Sequence, residues 1–99
     1  MEAVLRTAII DVLAELGLDV EEFSVEHPAD LAHGDYATNV ALVAAKAAHK
    51  NPRELAGEIV GKLEGEIEYV DRIEIAGPGF INFHLAREFF VEELARVRE

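Results

Sequence analysis

Three side chains spaced two apart near the C-terminal end stand out for the chemistry they offer: Phe80, Asn82 and His84. In an extended strand they share one face, and Ile81, Phe83 and Leu85 share the other. The apolar set should turn to a core, which leaves an aromatic ring, a carboxamide and an imidazole in a row on an open face. A ring on an open sheet can stack on an unpaired nucleobase. A carboxamide two residues on lies about 6.5–7 Å along the strand, within reach of that base's edge. The blander alternative is that Phe80 covers a hydrophobic edge and Asn82 is an ordinary polar residue on a strand surface.

Other chemistries are weaker. His27, Asp30 and His33 have an H-x2-D-x2-H spacing, with His49 further on, a set that zinc or iron can use. Histidines in a loop next to proline are more commonly solvated or bonded to backbone. There is no cysteine, so disulfides, thiolate nucleophiles and cysteine-ligated zinc are excluded. The single serine, Ser24, lacks the G-x-S-x-G surroundings of a hydrolase nucleophile. Gly77-Pro78-Gly79 lacks the Lys-Ser/Thr of a phosphate-binding loop and precedes a strand, so it reads as a hairpin turn. No constellation for catalysis and no cofactor site emerges.

Charge argues against a simple polyanion binder. Twenty acids against nine Lys and Arg give a net charge of −11, whereas phosphate contacts are normally made by cations. The imbalance is uneven: residues 1–27 hold seven acids and one base, while residues 28–50 hold two of each. No apolar run reaches the roughly 18 residues needed to span a bilayer. The acidic N-terminus lacks the positive start of a signal peptide, so a cytoplasmic setting is expected.

The elements that must position these residues follow from periodicity. Leu5, Ile9, Val12, Leu13 and Leu16 make one helical stripe closed by Gly17. Phe23, Val25 and His27 alternate as a short strand stopped by Pro28. The stretch from His27 to Thr38 reads as a loop, with Asp35 or Thr38 capping the alanine-rich helix that follows. Asn51 and Pro52 suit the N-cap and first position of a third helix, with Glu54 completing a capping box and Gly65 ending it. Residues 68–85 read as a hairpin turning at Gly77-Pro78-Gly79, and 87–98 as a last helix. Residues 1–99 are thus expected to form a single α+β domain, a small antiparallel sheet with helices on one face in the order α-β-α-α-β-β-α. In it Ile73, Ile75, Ile81, Phe83 and Leu85 should be buried, and Asn82 and His84 solvent-accessible.

Three blocks carry a resemblance. Gly34-Asp35-Tyr36-Ala37-Thr38-Asn39-Val40-Ala41, then Asn51-Pro52-Arg53-Glu54-Leu55-Ala56, then Ile75-Ala76-Gly77-Pro78-Gly79-Phe80-Ile81-Asn82-Phe83 are similar to the N-terminal additional domain of arginyl-tRNA synthetases, in order and spacing. The resemblance implies a domain that touches the outer corner of the tRNA for arginine and reads an unpaired D-loop nucleotide, typically adenosine. Phe80 and Asn82 match the reading positions, and His84 lies beside them. Gly77 stands where some relatives carry asparagine. The Gly34–Val40 block matches a supporting loop and helix start, where Tyr36 would be a packing anchor.

The same resemblance implies that ATP, magnesium and the class I catalytic domain belong to a longer parent, because neither His-x-Gly-His nor Lys-Met-Ser-Lys-Ser occurs here. No membrane or DNA partner is implied. The competing reading is an acidic protein–protein module that docks a basic partner through residues 1–27 and Phe80. The purified 99-residue chain should show no arginine-dependent ATP–pyrophosphate exchange. Exchange above that of a mock purification would overturn this.

Overall fold

The computed structural model describes residues 1–20, 22–28 and 34–86. Helix α1 (Glu2–Glu15) buries Leu5, Ile9, Val12 and Leu13. It ends as the sequence predicts. Gly17 has φ 74, Leu18 N donates to Leu13 O at 2.8 Å, and Gly17 N donates to Ala14 O at 3.1 Å. These are the two bonds of a Schellman motif, which returns orphan carbonyls to partners. Helix α2 (Val40–Ala48) ends on His49, held left-handed at φ 55. Helix α3 (Pro52–Leu63) begins as expected, with Asn51 Oδ1 accepting from Arg53 N at 2.9 Å.

The four strands are β1 (Val25–Glu26), β2 (Tyr36–Thr38), β3 (Val70–Ala76) and β4 (Phe80–Leu85), in the antiparallel order β1-β2-β4-β3. Helices α2 and α3 pack on β4, α3 also on β3, and α1 lies against α3 and β1. The α+β class and the hairpin at Gly77–Gly79 are as the sequence predicts. One strand is added: β2 lies in the stretch read as loop. Tyr36 and Thr38 favour strands intrinsically, but a three-residue strand has too short a period to read. The helix expected over 87–98 falls outside the described residues.

Strand β4 is therefore central. Ile81 and Phe83 on its inner side are fully buried. Ile73, Ile75 and Leu85, expected to be buried, are only half-buried. The reason is position: β3 is the sheet's edge and Leu85 ends its strand.

Gly34 and Asp35 fix β2 against β4. Asp35 N donates to Phe83 O at 2.8 Å, and Leu85 N donates to Asp35 Oδ2 at 2.8 Å. The carboxylate thus continues the ladder one step beyond the paired backbones. A Cβ on Gly34 would stand 2.7 Å from Phe83 O, and its φ is 94, so only glycine fits. Asp35 is therefore no helix cap. Thr38 Oγ1 accepts from Val40 N at 3.2 Å at the start of α2, while Asn39 Oδ1 accepts from Ser24 N at 2.8 Å and ties the chain back towards β1.

Asp35→Ala should lower stability by about 1–3 kcal/mol, the cost of leaving a partly buried N–H without its charged acceptor. Gly34→Ala should cost at least as much. Urea denaturation checks both, and a loss under 0.5 kcal/mol for Asp35→Ala would mean the pin is dispensable.

Candidate nucleic-acid interface

The sheet face turned away from the helices carries a depression of about 500 Å³. Pro28, Ala37, Ala76 and the Gly77–Pro78 turn form its walls, and Phe80 and Asn82 complete the lining. No charged side chain lines it, whereas four other surface depressions each include at least one carboxylate, such as Asp11 or Asp71. It is an apolar patch in an acidic surface, of a size that accepts a planar ring.

The walls come from all parts of the sheet. Register places Ala37 of β2 and Glu74 of β3 on either side of Asn82, and Ala76 opposite Phe80. Phe80 stays 42% exposed at the mouth. Asn82 is only 4% exposed, which corrects the expectation of an accessible residue. The expectation placed no strand at residues 36–38, but β2 flanks Asn82 on its second side.

The state of that carboxamide is informative. Among the described residues it has no hydrogen-bond partner, yet no fully occluded polar side-chain atom is left unpaired. The small exposed area must therefore include the amide's own N and O. Buried polar groups are normally satisfied. Asn82 is instead buried in the lining of an apolar depression with its amide unpartnered among the described residues.

The glycine turn is built from two distant blocks. A Cβ on Gly79 would stand 2.8 Å from Pro52 Cβ, so glycine lets the start of α3 pack on the turn. Arg53 then donates from Nη1 to Gly77 O at 2.6 Å. This contact, between residues 24 apart, carried no sequence signal. Gly77 has φ 56, a conformation asparagine also accepts, and a Cβ there would lie 3.7 Å from Phe80 Cδ2. Either residue fits.

His84 stands beside the depression rather than in it. Its Nε2 is 3.5 Å from Glu74 Oε1, and the same carboxylate oxygen is 2.7 Å from Arg72 Nε. The pair is largely exposed and contributes at most about 1 kcal/mol. On the helix side of the sheet, where Tyr36 pairs with Phe83, the rings of His27 and Tyr36 lie 4.4 Å apart, and His27 Nδ1 donates to Asp35 O at 2.9 Å. Burial, and then the carboxylates of Glu2 and Asp35, raise the Tyr36 hydroxyl above the usual tyrosine range, keeping it neutral. Asp30 and His33 fall outside the described residues. Among the described residues, no three His, Asp or Glu side chains gather as a metal would need, and His49 is instead the end of α2.

Residues 3–85 match the family model described as the arginyl-tRNA synthetase N-terminal domain. The arginine–tRNA ligase of Chlorobaculum tepidum is 44% identical over 98 residues, covering 98% of this chain and 18% of that protein. That of Staphylococcus aureus is 47% identical over 76 residues, covering 77% and 14%. The chain thus spans less than a fifth of the length of these relatives. Among solved structures, Thermus thermophilus arginyl-tRNA synthetase superposes with a TM-score of 0.75 at 28% identity, over 94% of this chain and 15% of that one. Plasmodium falciparum arginyl-tRNA synthetase shares the fold, with a TM-score of 0.73 at 18% identity, over 94% and 16%.

Because the Asn82 carboxamide has no hydrogen-bond partner among the described residues, its replacement by leucine removes a largely buried polar group and keeps the branched shape. Asn82→Leu should therefore leave the thermal midpoint unchanged or raise it. A fall of more than about 1 kcal/mol in stability would show that the amide has a structural partner.

Proposed function

The chain belongs to the arginyl-tRNA synthetase N-terminal domain family, and on that premise we propose that it binds the tRNA for arginine. In this reading its depression accepts one unpaired base of the D-loop at the outer corner of the tRNA. The chain supports an arginine–tRNA ligase whose ATP, magnesium and arginine sites lie in the catalytic domain of the full-length protein. That setting is cytoplasmic.

The observation that carries the reading is the unpartnered Asn82 amide beneath the exposed Phe80 ring. Phe80 stacks on the base, a contact worth about 1–3 kcal/mol that is indifferent to base identity. Asn82 bonds the base edge. An amide can bond adenine in bidentate fashion through N6 and N7, which discriminates by about 1–3 kcal/mol. The apolar walls exclude water and strengthen that bond. His84 borders the same face, and Glu74, held by Arg72 at 2.7 Å, is not in the lining of the depression.

The two substitutions should separate in the full-length enzyme. Phe80→Ala should lower kcat/KM for the cognate tRNA by about 5- to 150-fold whatever the D-loop base. Asn82→Ala should erase the preference for adenine, so that a tRNA altered at that base loses little more. Arginine activation should be nearly unchanged in both. Steady-state aminoacylation of wild-type and base-substituted tRNA measures this. Full retention of discrimination by Asn82→Ala would leave Phe80 a packing residue and the hairpin purely structural. Binding of the domain to a basic protein, with no dependence on the D-loop, would favour a protein–protein module.

A further inference from the structure

The chain carries −11 overall, yet Lys46-Ala47-Ala48-His49-Lys50-Asn51-Pro52-Arg53 holds three cations and a histidine with no acid. This segment is the corner between α2 and α3. The corner abuts the turn that walls the depression, through Pro52 against Gly79 and through Arg53 on the Gly77 carbonyl.

The other described cations are mostly spoken for. Lys50 is bound to Glu58 at 2.6 Å, Lys62 lies 3.7 Å from Glu15, and Arg72 is bound to Glu74 at 2.7 Å. Arg6 donates to Phe23 O at 2.9 Å and stacks over the Phe23 ring. Among the described residues only Lys46 and Arg53 lack both a carboxylate and a ring partner. Arg53 uses one donor on Gly77 O and keeps the rest of its five N–H groups for something else. Its planar fork is held in place by that one bond, and no carboxylate among the described residues pairs with it. This is a geometry that suits a phosphate better than a lysine would.

We infer that Arg53 is a phosphate contact, holding the backbone phosphate next to the nucleotide whose base enters the depression. The inference rests on the base-binding reading above. A base stacked on Phe80 places its own sugar and phosphate at the rim of the depression, and the Gly77 side of that rim is where Arg53 stands. Among the described residues the two cations without a carboxylate or ring partner, Lys46 and Arg53, both belong to this corner, and Arg53 reaches the turn that walls the depression. The Gly77 bond also makes the turn and the phosphate contact one unit, so that the wall and the charge move together.

The test is fluorescence anisotropy of the chain with a tRNA transcript for arginine, over a series of salt concentrations, with circular dichroism melts as the fold control. For Arg53→Gln the slope of log K against log salt should lose about 0.7, the single-strand value for one phosphate. Its preference for the native D-loop base should remain. Arg53→Lys, which keeps the charge, should retain most of the slope, and Lys62→Gln on the far side of α3 should change nothing. An unchanged slope in Arg53→Gln would overturn the inference. So would loss of base preference at constant slope, which would make Arg53 a staple for the turn only. The underlying reading fails separately, through wild-type binding that ignores both Phe80→Ala and the D-loop base.

Discussion

The structure depends on the register of one strand. β4 lies between β2 and β3, and its two faces do opposite work: Ile81 and Phe83 fill the core, while Phe80 and Asn82 line the depression. Because side chains alternate at a period of two, a slip of one residue would carry the core residues to the surface and the site residues into the core. The register is fixed at both ends. Gly79 admits only a turn that packs on Pro52, and Asp35 takes the Leu85 amide while Gly34 lies against Phe83 O. Neither pin is a hydrophobic contact. Each is a place where a side chain is absent or stands in for backbone, which is why glycine and aspartate sit there.

These pins explain why three separated blocks of sequence belong together. Gly34–Thr38 closes one side of β4, Asn51–Arg53 braces the turn before it, and Ile75–Phe83 is the hairpin itself. Each block is positional chemistry for the same strand. The helices contribute mass and cover: α2 and α3 bury Ala44, Leu55, Ala56 and Ile59 against the sheet, and α1 seals the side of α3. Alanine at those contacts lets backbones approach closely. That brings the start of α3 within van der Waals distance of the turn and so within reach of the site.

The site itself runs against the economy of the rest of the fold. Elsewhere among the described residues, the buried Thr38 accepts at the start of α2 and the half-buried Asn39 accepts from Ser24. Asn82 is sunk among apolar walls with no hydrogen-bond partner among the described residues, and Phe80 keeps a large ring in water. Both arrangements forgo stability, and both suit the proposed recognition of a planar, polar-edged ligand. The acidic surface is consistent with this. It repels a polyanion broadly, whereas no charged side chain lines the depression.

Much was legible in the residues alone. Local rules fixed the end of α1 at Gly17 and the start of α3 at Asn51-Pro52, because capping depends on a few neighbours in sequence. Alternation paired Phe80 with Asn82 on one face, because the period of a strand is a property of the chain. What the residues did not reveal was set by partners far along the chain. The strand β2, the role of Asp35 as acceptor for Leu85 rather than as a cap, and the reach of Arg53 to Gly77 each join residues too distant for periodicity to register. The burial of Asn82 is the sharpest case. The alternation put it correctly on the face away from the helices, but whether that face is open or walled depends on how many strands flank it. That number is decided only when β2 pairs with β4.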